Sequence, residues 1–585
     1  MTTNLFDYFE EASAEDGAPA PWAARAPRRA TAGFDVKLVP RAPDWQNDAE
    51  SLSALERLRE QPWVGALTLR EDGVELRLDD SWIETTGAAL EAGGGDEAEL
   101  ADLARHERFS VQFWDANATK ALHVGHLRNL AIGNALAAAL EQAGAEVERR
   151  SIISDAGRSM GEAMAGIIRS GHHTSAWPEG DQKSDHFVGL CYADYVAAGG
   201  FSEEGIDERE DSLTRELRMQ NDAADELLKR VLAGEGEALE LWFKTRAWVI
   251  SGQRKTLARL GVAFDRVFFE SDFLEEGAQL TERGLREGTL TRREDGVVLY
   301  ATGVQEMLEM PLLRADGQST QHMRAVSYWM GAPDLEGVTT IQITGTEWVA
   351  HSTCIRKLME QLSQPVNGGA RPDEALAGSQ NGQSRRGVHP THDIFHGMVA
   401  QQKRAVSSSD EGGLLIDDLI EWIEKRIAED PAMREVLRAH PAPERIPAQV
   451  ALGYFLPYPV TPRVEFDTGK LLLERESLGW DLVRARAHHG SRAGSQAQPA
   501  CTPGGVPSRV RPAEDPDYRS AVVQSEIYRR HLRLAVERYD VTPLALYLRH
   551  LARWYLEGER SSHVERVIHT LLDRSARGLG LEAGR

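Results

Sequence analysis

The chain has 585 residues, of which 41% are hydrophobic and 27% charged, values typical of globular proteins. That length exceeds what one hydrophobic core supports, so several domains are expected. No apolar run approaches the roughly 18 residues of a membrane span. The N-terminal segment MTTNLFDYFEEASAEDGAPAPW is acidic, unlike a secretory signal. With only three cysteines and no CxxC pair, disulfides and metal sites are not expected. These features predict a cytoplasmic protein without membrane segments.

The net charge of -24 is unevenly distributed along the chain. The stretch from Arg484 to Arg585 holds 17 arginines, no lysine and 11 acidic residues, a formal charge of +6. The acidic body argues against nucleic-acid binding, because phosphate neutralisation supplies most of that affinity. A basic C-terminal region is nevertheless compatible with a local RNA footprint. A solvated helical surface explains the same charge equally well.

Periodicity and composition divide the chain into four predicted parts. They are a disordered leader (1–33), a small α/β domain (34–101), a doubly wound domain (105–420, with a helical insertion at about 160–300) and a helical domain (421–585). Within the second part, the alternation in GALTLREDGVELRLDDSW predicts two short strands joined by a turn near Asp72 and Gly73.

The third part begins with a strand–helix–strand pattern. From Phe109, the segments FSVQFWDA, HLRNLAIGNALAAALEQAGA and VERRSII predict a βαβ unit of the kind that opens nucleotide-binding domains. A later strand, VTTIQIT, and a helix from Trp348 to Leu362 predict the second half of that domain. The predicted fold is therefore α/β: a doubly wound, Rossmann-type domain with a helical insertion, a small N-terminal α/β domain and a C-terminal all-α helical bundle.

Two histidines, His123 and His126, stand where the first strand turns into its helix. Residues three apart at a helix N-terminus face the same side, next to free backbone N–H groups and the positive end of the helix dipole. Fixed imidazole donors there could stabilise the charge that develops on a phosphate under attack, and Gly125 leaves room for a nucleotide. A chance HxGH tetrapeptide is the alternative interpretation of these residues alone.

The longer stretch from Asn117 to Gly133, NATKALHVGHLRNLAIG, resembles the "HIGH" region of arginyl-tRNA synthetases, including the upstream Asn117 and Lys120. The resemblance implies a class I synthetase catalytic domain that uses ATP, with Mg2+ as its counter-ion. It implies catalytic roles for His123, His126 and Lys120. Asn117 and Gly125 would bind ATP.

A second phosphate element is implied by KRAVSSS, from Lys403 onward, which resembles the "KMSKS" loop of class I synthetases. Its Lys403 would neutralise the β- and γ-phosphates, and Ser407 and Ser408 would contact ATP. The match is incomplete, and Lys120 would compensate, as the lysine before the HIGH region does in many arginyl-tRNA synthetases. A polar surface loop is the alternative interpretation.

Further segments resemble the same family in the same order along residues 105–585. They are FDRVFFES (264–271), LLRADG (312–317), GTEWVAH (345–351), HGMV (396–399) and GLGLEA (578–583). By this resemblance, Gly345, Glu347 and Val399 would also contact ATP.

The amino-acid pocket departs from the family. Its implied positions are Gln112, Asn117, Glu270, Gln321, Ala325, Trp348 and His351. Arginine-specific members bind the guanidinium with carboxylates and a tyrosine, because only anionic acceptors satisfy its fork of donors. Among these seven residues only Glu270 carries a negative charge. The pocket is therefore predicted to be rebuilt, and arginine is not expected to be the preferred amino acid.

Two functions from different classes remain open at this point. One is an aminoacyl-tRNA synthetase-type ligase, for arginine or another amino acid, whose arginine-rich C-terminal domain binds tRNA. The other is an adenylate-forming ligase that passes the acyl group to a small amine. A non-catalytic RNA-binding paralogue is a third, disfavoured by the intact HVGH and Lys120. A monomer is expected.

Overall fold

The computed structural model describes residues 22–25, 33–41, 44–94, 97–172, 182–198, 223–332, 334–335, 337–364, 391–401, 404–405, 414–495 and 511–582. The strands are β1 (Trp22–Arg25), β2 (Val36–Pro40), β3 (Val64–Arg70), β4 (Gly73–Leu78), β5 (Arg108–Asn117), β6 (Glu146–Ser154), β7 (Arg266–Phe269), β8 (Thr291–Arg292), β9 (Val298–Val304), β10 (Met307–Leu313), β11 (Thr339–Gly345), β12 (Thr391–His396), β13 (Val399–Gln401), β14 (Arg404–Ala405) and β15 (Val464–Phe466).

The longer helices are α1 (Ala49–Arg59), α2 (Asp80–Glu91), α3 (Val124–Gln142), α4 (Arg158–Arg169), α5 (Ser184–Ala197), α6 (223–232), α7 (Gly236–Leu260), α8 (Leu274–Glu287), α9 (Gln321–Gly331), α10 (Val349–Ser363), α11 (Ile416–Glu429), α12 (Pro431–Ala439), α13 (Ile446–Phe455), α14 (Leu478–Ser495), α15 (Pro516–Arg538), α16 (Thr542–Leu556) and α17 (Ser562–Gly578). None of these described helices combines the length and the apolar character that crossing a bilayer requires.

The N-terminal part forms a four-stranded antiparallel sheet in the order β1-β2-β4-β3. The predicted hairpin is confirmed: β3 and β4 meet at a turn in which Gly73 has a φ of 140°, a conformation that favours glycine. The predicted disordered leader (1–33) is wrong for residues 22–25. They form β1 because Trp22 and Ala24 alternate into the domain core, a signal too short to recognise among the surrounding prolines and alanines.

The central sheet is parallel throughout, in the order β12-β11-β5-β6-β7. Its middle strand, β5, is buried on both faces, as expected for a parallel sheet covered by helices on each side. The helix α3 that follows is buried along most of its length, and a Cβ at Gly133 would lie 2.1 Å from the ring of Phe113. Glycine at this position therefore permits the close packing of α3 on β5.

Strand order reverses at β5: β6 and β7 lie on one side of it, β11 and β12 on the other. In doubly wound sheets ligands bind in the crevice outside the carboxyl ends of the strands at such a reversal. The crevice here lies between the ends of β5 and β11, at Asn117 and Gly345. The predicted doubly wound fold is confirmed.

The helical insertion is shorter than predicted. Helices α4 to α7 lie in the described parts of residues 158–260, but β7 then pairs with β6 as an edge strand of the central sheet, and β8, β9 and β10 form a separate antiparallel sheet. The predicted boundary at about 300 is therefore wrong. The strand β7 has only four residues, all half-buried, so its sequence carries no recognisable alternation.

The C-terminal part is helical, as predicted, with one exception. The short strand β15 pairs in parallel with β13 and so joins the sheet that carries the end of the doubly wound domain. The last helices pack on α3: the side chain of Asn134 donates to the carbonyl of Gly580 at 3.0 Å, and Gln142 donates to that of Arg574 at 3.3 Å. The helical part therefore covers the helix that begins at His123.

The N-terminal sheet is bound to the helical part by ion pairs. Arg519, which is 3% exposed, donates to Asp35 at 2.6 Å and also pairs with Asp80. Arg566 pairs with Glu91 at 2.6 Å. Part of the arginine excess of the C-terminal region is thus used within the fold.

Candidate nucleotide and amino-acid site

His123 and His126 form a reciprocal cap at the start of α3. The Nδ1 atom of His123 accepts a hydrogen bond from the N–H of Gly125 at 3.1 Å, and that of His126 accepts from the N–H of His123 at 3.2 Å. The ring centroids lie 3.9 Å apart. The two predicted histidines are therefore together, and the cap fixes the orientation of both rings.

Burial keeps both rings neutral, and the cap fixes which ring nitrogen carries the proton. Burial, and then Lys120, lowers the pKa of His123 to about 4, and burial lowers that of His126 well below its usual value. Both imidazoles are thus neutral at pH 7. Because each Nδ1 accepts, each ring proton is on Nε2. The buried Nε2 of His123 has no hydrogen-bond partner in the described part of the chain, so its donor is available to a ligand oxygen.

The segment that resembles the KMSKS loop begins and ends beside this cap. The N–H of Val124 donates to the carbonyl of Leu414 at 3.0 Å, and the N–H of Ile416 donates to that of Leu122 at 3.0 Å. Upstream, β14 pairs with β13, where Val399 is buried. Lys403, Ser407 and Ser408 lie outside the described residues, so their predicted roles stay predictions.

Arg128, one turn into α3, holds the strands next to that loop. Its guanidinium is fully buried and donates to four carbonyls, those of Gly397 (2.5 Å), Pro459 (2.9 Å), Val460 (2.9 Å) and Pro462 (3.0 Å). Burial lowers the pKa of Arg128 to about 10, so it stays charged. Sequence analysis quoted this arginine within the HIGH-like stretch without assigning it a role.

A residue of the helical insertion holds the turn between β5 and α3 in place. The side-chain amide of Gln253, on α7, donates to the carbonyls of Asn117 at 3.1 Å and Lys120 at 2.7 Å. The ammonium of Lys120 lies 5.6 Å from the ring centroid of Tyr192 on α5. Both predicted residues therefore lie at the carboxyl end of β5, next to the histidine cap.

The facing side of the crevice follows β11. Gly345 ends that strand, and Glu347 lies in the exposed turn after it. The ring of Trp348 lies 5.0 Å from that of His351, which stacks on His322 at 4.9 Å. The predicted residues Trp348 and His351 are therefore neighbours. His322, which the sequence did not single out, lies beside them.

The two stacked histidines share a hydrogen bond of 2.7 Å between His322 Nε2 and His351 Nδ1. The Nδ1 atom of His322 donates to the carbonyl of Pro311 at 3.2 Å, so its Nε2 must accept from His351. Burial lowers the pKa of His322 to about 4, and burial also lowers that of His351 against the opposing effect of Glu347. The pair is therefore neutral, and His351 presents an acceptor at Nε2.

Three carboxylates interact at this end of the sheet: Asp115 on β5, Glu270 directly after β7, and Glu347 after β11. Burial, followed by Glu270 and then Glu347, raises the pKa of Asp115 to about 6. Asp115 is a second carboxylate beside Glu270, outside the seven predicted pocket residues. Asp115 is two residues before Asn117 and so on the same side of the strand, a signal available in the sequence.

Glu270 is paired within the protein. Its Oε2 accepts from Arg324 Nε at 2.6 Å and from the hydroxyl of Ser154 at 2.8 Å. The adjacent Asp155 accepts from the backbone N–H and the hydroxyl of Ser271, which holds the end of β7 against the end of β6. Ser154 and Asp155, at the end of β6, therefore position Glu270.

The remaining predicted pocket residues are more dispersed. Gln112 lies in the middle of β5 between Arg150 and Gln342, is 2% exposed, and has an Oε1 without a partner among the described residues. Gln321 begins α9, and Ala325 lies one turn further, partly buried. Neither contributes a charge near Glu270.

Comparisons with known proteins show what the chain is similar to. A family model described as "tRNA synthetases class I (R), catalytic domain" matches residues 96–320. An arginine–tRNA ligase of Treponema denticola is 29% identical over 360 residues, covering 60% of this chain and 54% of that protein. One of Bacteroides thetaiotaomicron is 31% identical over 217 residues, covering 36% of this chain and 35% of the other. By these matches the chain is similar to the arginyl-tRNA synthetases.

Solved structures extend the likeness of fold over the whole chain. The arginyl-tRNA synthetase of Thermus thermophilus superposes with a TM-score of 0.65 at 19% identity, covering 100% of both chains. That of Plasmodium falciparum gives 0.57 at 13% identity, covering 100% of this chain and 98% of the other. The sequence match to the first two curated relatives spans only 54% and 52% of their lengths. The chain is thus similar to these synthetases in architecture and distant from them in sequence.

Proposed function

We propose that this protein activates an amino acid with ATP as an aminoacyl-adenylate and transfers the aminoacyl group to tRNA. The observation that carries the proposal is the pair of neutral, backbone-locked imidazoles of His123 and His126 at the N-terminus of α3, in the crevice at the strand-order reversal. Similarity to known synthetases supports it, because the relatives are named as arginine–tRNA ligases.

The chemistry begins when a carboxylate oxygen of the amino acid attacks the α-phosphorus of ATP and pyrophosphate leaves. Negative charge develops on the equatorial oxygens of that phosphorus, and the Nε2–H groups of His123 and His126 would donate to them without reorganising. Lys120, on the turn before α3, supplies a mobile positive charge for the departing pyrophosphate. We assign Lys403, Ser407 and Ser408 the same task from the loop that ends at Leu414.

In the second step the 2′- or 3′-hydroxyl of the terminal tRNA ribose attacks the acyl carbon of the adenylate. An ester bond forms, the bond to the phosphate oxygen breaks, and AMP leaves. Asn117, Gly125, Gly345, Glu347 and Val399 are the proposed ATP contacts, and Asp115 and Asn117 the proposed contacts of the α-ammonium group.

A second candidate is a ligase that passes the acyl group to a small amine. It is favoured by the ion pairs that engage arginines of the C-terminal region, among them Arg486, Arg519, Arg529 and Arg566, because these reduce the charge that RNA could meet.

We propose further that Mg2+ enters as the counter-ion of ATP, bound to its phosphates, and that the protein acts as a monomer in the cytoplasm. We propose that the chain is organised in four units: the N-terminal α/β domain, the doubly wound domain, its helical insertion and the C-terminal helical bundle.

The test is amino-acid-dependent exchange of pyrophosphate into ATP, measured across the amino acids with and without bulk tRNA, together with aminoacylation of that tRNA. Exchange with one amino acid plus acid-labile charging of tRNA supports the first function. Exchange without charging, and amide formation with added small amines, supports the second. Absence of exchange with every amino acid contradicts both.

A further inference from the structure

Glu270, the anion among the predicted amino-acid-binding residues, is already paired with the guanidinium of Arg324. Arg324, on α9, is 3% exposed, and its Nε donates to Oε2 of Glu270 at 2.6 Å. Its Nη1 donates to the carbonyl of Ser319, also at 2.6 Å. Charge-assisted bonds of this kind, in a buried setting, are strong and geometrically specific.

The surroundings of Arg324 are built to hold it there. Gly157 leaves the space that its guanidinium uses, since a Cβ at that glycine would lie 3.0 Å from Arg324 Nη2. The helix α9 has no acidic residue in its first turn, and its Gln321 and Ala325 are uncharged. No carboxylate of this helix therefore competes with Glu270 for the Arg324 guanidinium.

A substrate guanidinium would meet a like charge at this place. Arginine cannot lose its proton at any physiological pH, so repulsion between the substrate side chain and Arg324 could not be relieved by ionisation. To bind Glu270, a substrate arginine would have to displace Arg324 into a buried position without a counter-charge, which is strongly unfavourable.

Asp115 does not restore a guanidinium site. It lies on the central strand two residues before Asn117, next to the turn into α3, where the α-amino end of an amino acid must lie for its carboxylate to reach the α-phosphate of ATP. Every amino acid brings one ammonium group, and Asp115 can neutralise it. The side chain then extends towards Glu270 and Arg324, which are paired with each other.

We propose that, within the function proposed above, the amino acid has an uncharged side chain that ends in a hydrogen-bonding group, and that Arg324 excludes arginine. An amide or ureido group fits this position, because its carbonyl oxygen can accept from Arg324 Nη2 while its N–H donates to Glu270. Arg324 is thus a specificity-determining residue, one that the resemblance to arginine-specific relatives does not reveal.

The experiment compares arginine with citrulline, which has nearly the same shape but a ureido oxygen in place of one guanidinium nitrogen, and with glutamine. Calorimetric binding and ATP–pyrophosphate exchange are measured for the wild type, for Arg324→Met and for the control Arg293→Met. The control residue is an exposed arginine paired with its neighbour Asp295. We expect the wild type to bind citrulline or glutamine at least tenfold more tightly than arginine. Arg324→Met should shift the ratio at least tenfold towards arginine, and the control should not.

Binding separates this inference from the proposed function. Tight arginine binding by the wild type, unchanged in Arg324→Met, overturns the inference while adenylation stands. Absence of exchange with every amino acid contradicts adenylation, yet the binding ratio still tests the role of Arg324. If Arg324→Met does not fold, Ala325→Asp supplies a second carboxylate one residue away. It should raise arginine affinity relative to citrulline by a similar factor, and an unchanged ratio would refute the inference.

Discussion

The imidazole of His126 accepts a hydrogen bond from the backbone N–H of His123, so the second motif histidine is also part of the cap of α3. Each ring thereby has two separable functions. Its Nδ1 stabilises the helix start, and its Nε2 is the donor proposed to bind the nucleotide. Substitution by alanine removes both functions together and cannot distinguish them.

The first prediction uses asparagine to separate the two functions. Its side-chain oxygen can occupy the position of the ring Nδ1, but it has no group at the position of Nε2. His126→Asn should therefore retain the melting temperature of the wild type and lose roughly 10²- to 10³-fold in adenylation rate, the usual scale for one transition-state donor. His126→Ala should lose stability as well, by about 1 kcal/mol for a missing cap. A wild-type rate in the folded asparagine variant would show that the motif is not catalytic.

The second prediction concerns the four carbonyls that accept from Arg128. A lysine has three donors on one atom and cannot reach all four oxygens, so Arg128→Lys leaves buried carbonyls without partners. We expect the free energy of unfolding to fall by about 2 to 4 kcal/mol. We also expect the KM for ATP to rise, because the strands bordering the 406–413 segment lose their attachment to α3. Arg293→Lys on the exposed hairpin should change neither. An unchanged KM would mean that Arg128 is only structural.

The third prediction follows from the raised pKa of Asp115, about 6 in the folded protein against 3.8 as its ordinary value. The folded state then binds this proton more tightly than the unfolded state. Asp115 is therefore destabilising above pH 6, and this contribution disappears as the pH falls below about 4. Asp115→Asn should be more stable than the wild type at pH 7.5, by at most about 3 kcal/mol, with the difference vanishing near pH 4.

The measurement for Asp115 is the difference in unfolding free energy between variant and wild type, determined with denaturant across that pH range. Taking the difference removes the opposing effect of the buried histidines, whose lowered pKa values make the folded state less stable in acid. The same variant should bind its amino acid more weakly at pH 7.5. A difference that does not depend on pH would show that Asp115 is ionised normally.

Sequence reasoning found the local features of this protein and missed those that depend on distant contacts. The motif of His123 and His126 is contiguous, so its position at a strand–helix junction could be predicted. Arg324 could not be assigned, because its partner Glu270 is 54 residues away in the sequence. Their pairing is evident only in the folded structure. Asp115 could be selected from the sequence, because it lies two residues before Asn117, but the resemblance aligns the family carboxylate with Gln112.

The fourth prediction concerns the pairing of Arg519 with Asp35, both less than 9% exposed. Arg519→Met leaves Asp35 buried without its counter-charge, which should cost about 3 to 5 kcal/mol of unfolding free energy. The double variant Asp35→Asn with Arg519→Met should recover a large part of that loss. The matched control is Arg511→Met, which removes an exposed pair with Glu84 and should cost less than about 1 kcal/mol. Equal losses of unfolding free energy in Arg519→Met and Arg511→Met would contradict a special contribution of the buried pair at this interface.

The last prediction concerns RNA. Nine of the 17 arginines from Arg484 onward pair with carboxylates in the described part of the chain. At most eight are then left for phosphates, so the slope of log affinity for tRNA against log salt should be no steeper than about -7. Arg538→Gln, at the exposed end of α15, should reduce that slope by about one, and Arg293→Gln should not.

Deletion of residues 491–585 is not a usable test of RNA binding, because α17 and Gly580 cover the helix that begins at His123. Removing them would expose the apolar surface of α3 and destabilise the nucleotide crevice together with any RNA site. Filter binding of bulk tRNA to the full chain, between about 50 and 200 mM salt, avoids this difficulty. A steeper slope would mean that tRNA opens the ion pairs, whereas no binding at the lowest salt would favour transfer to a small amine.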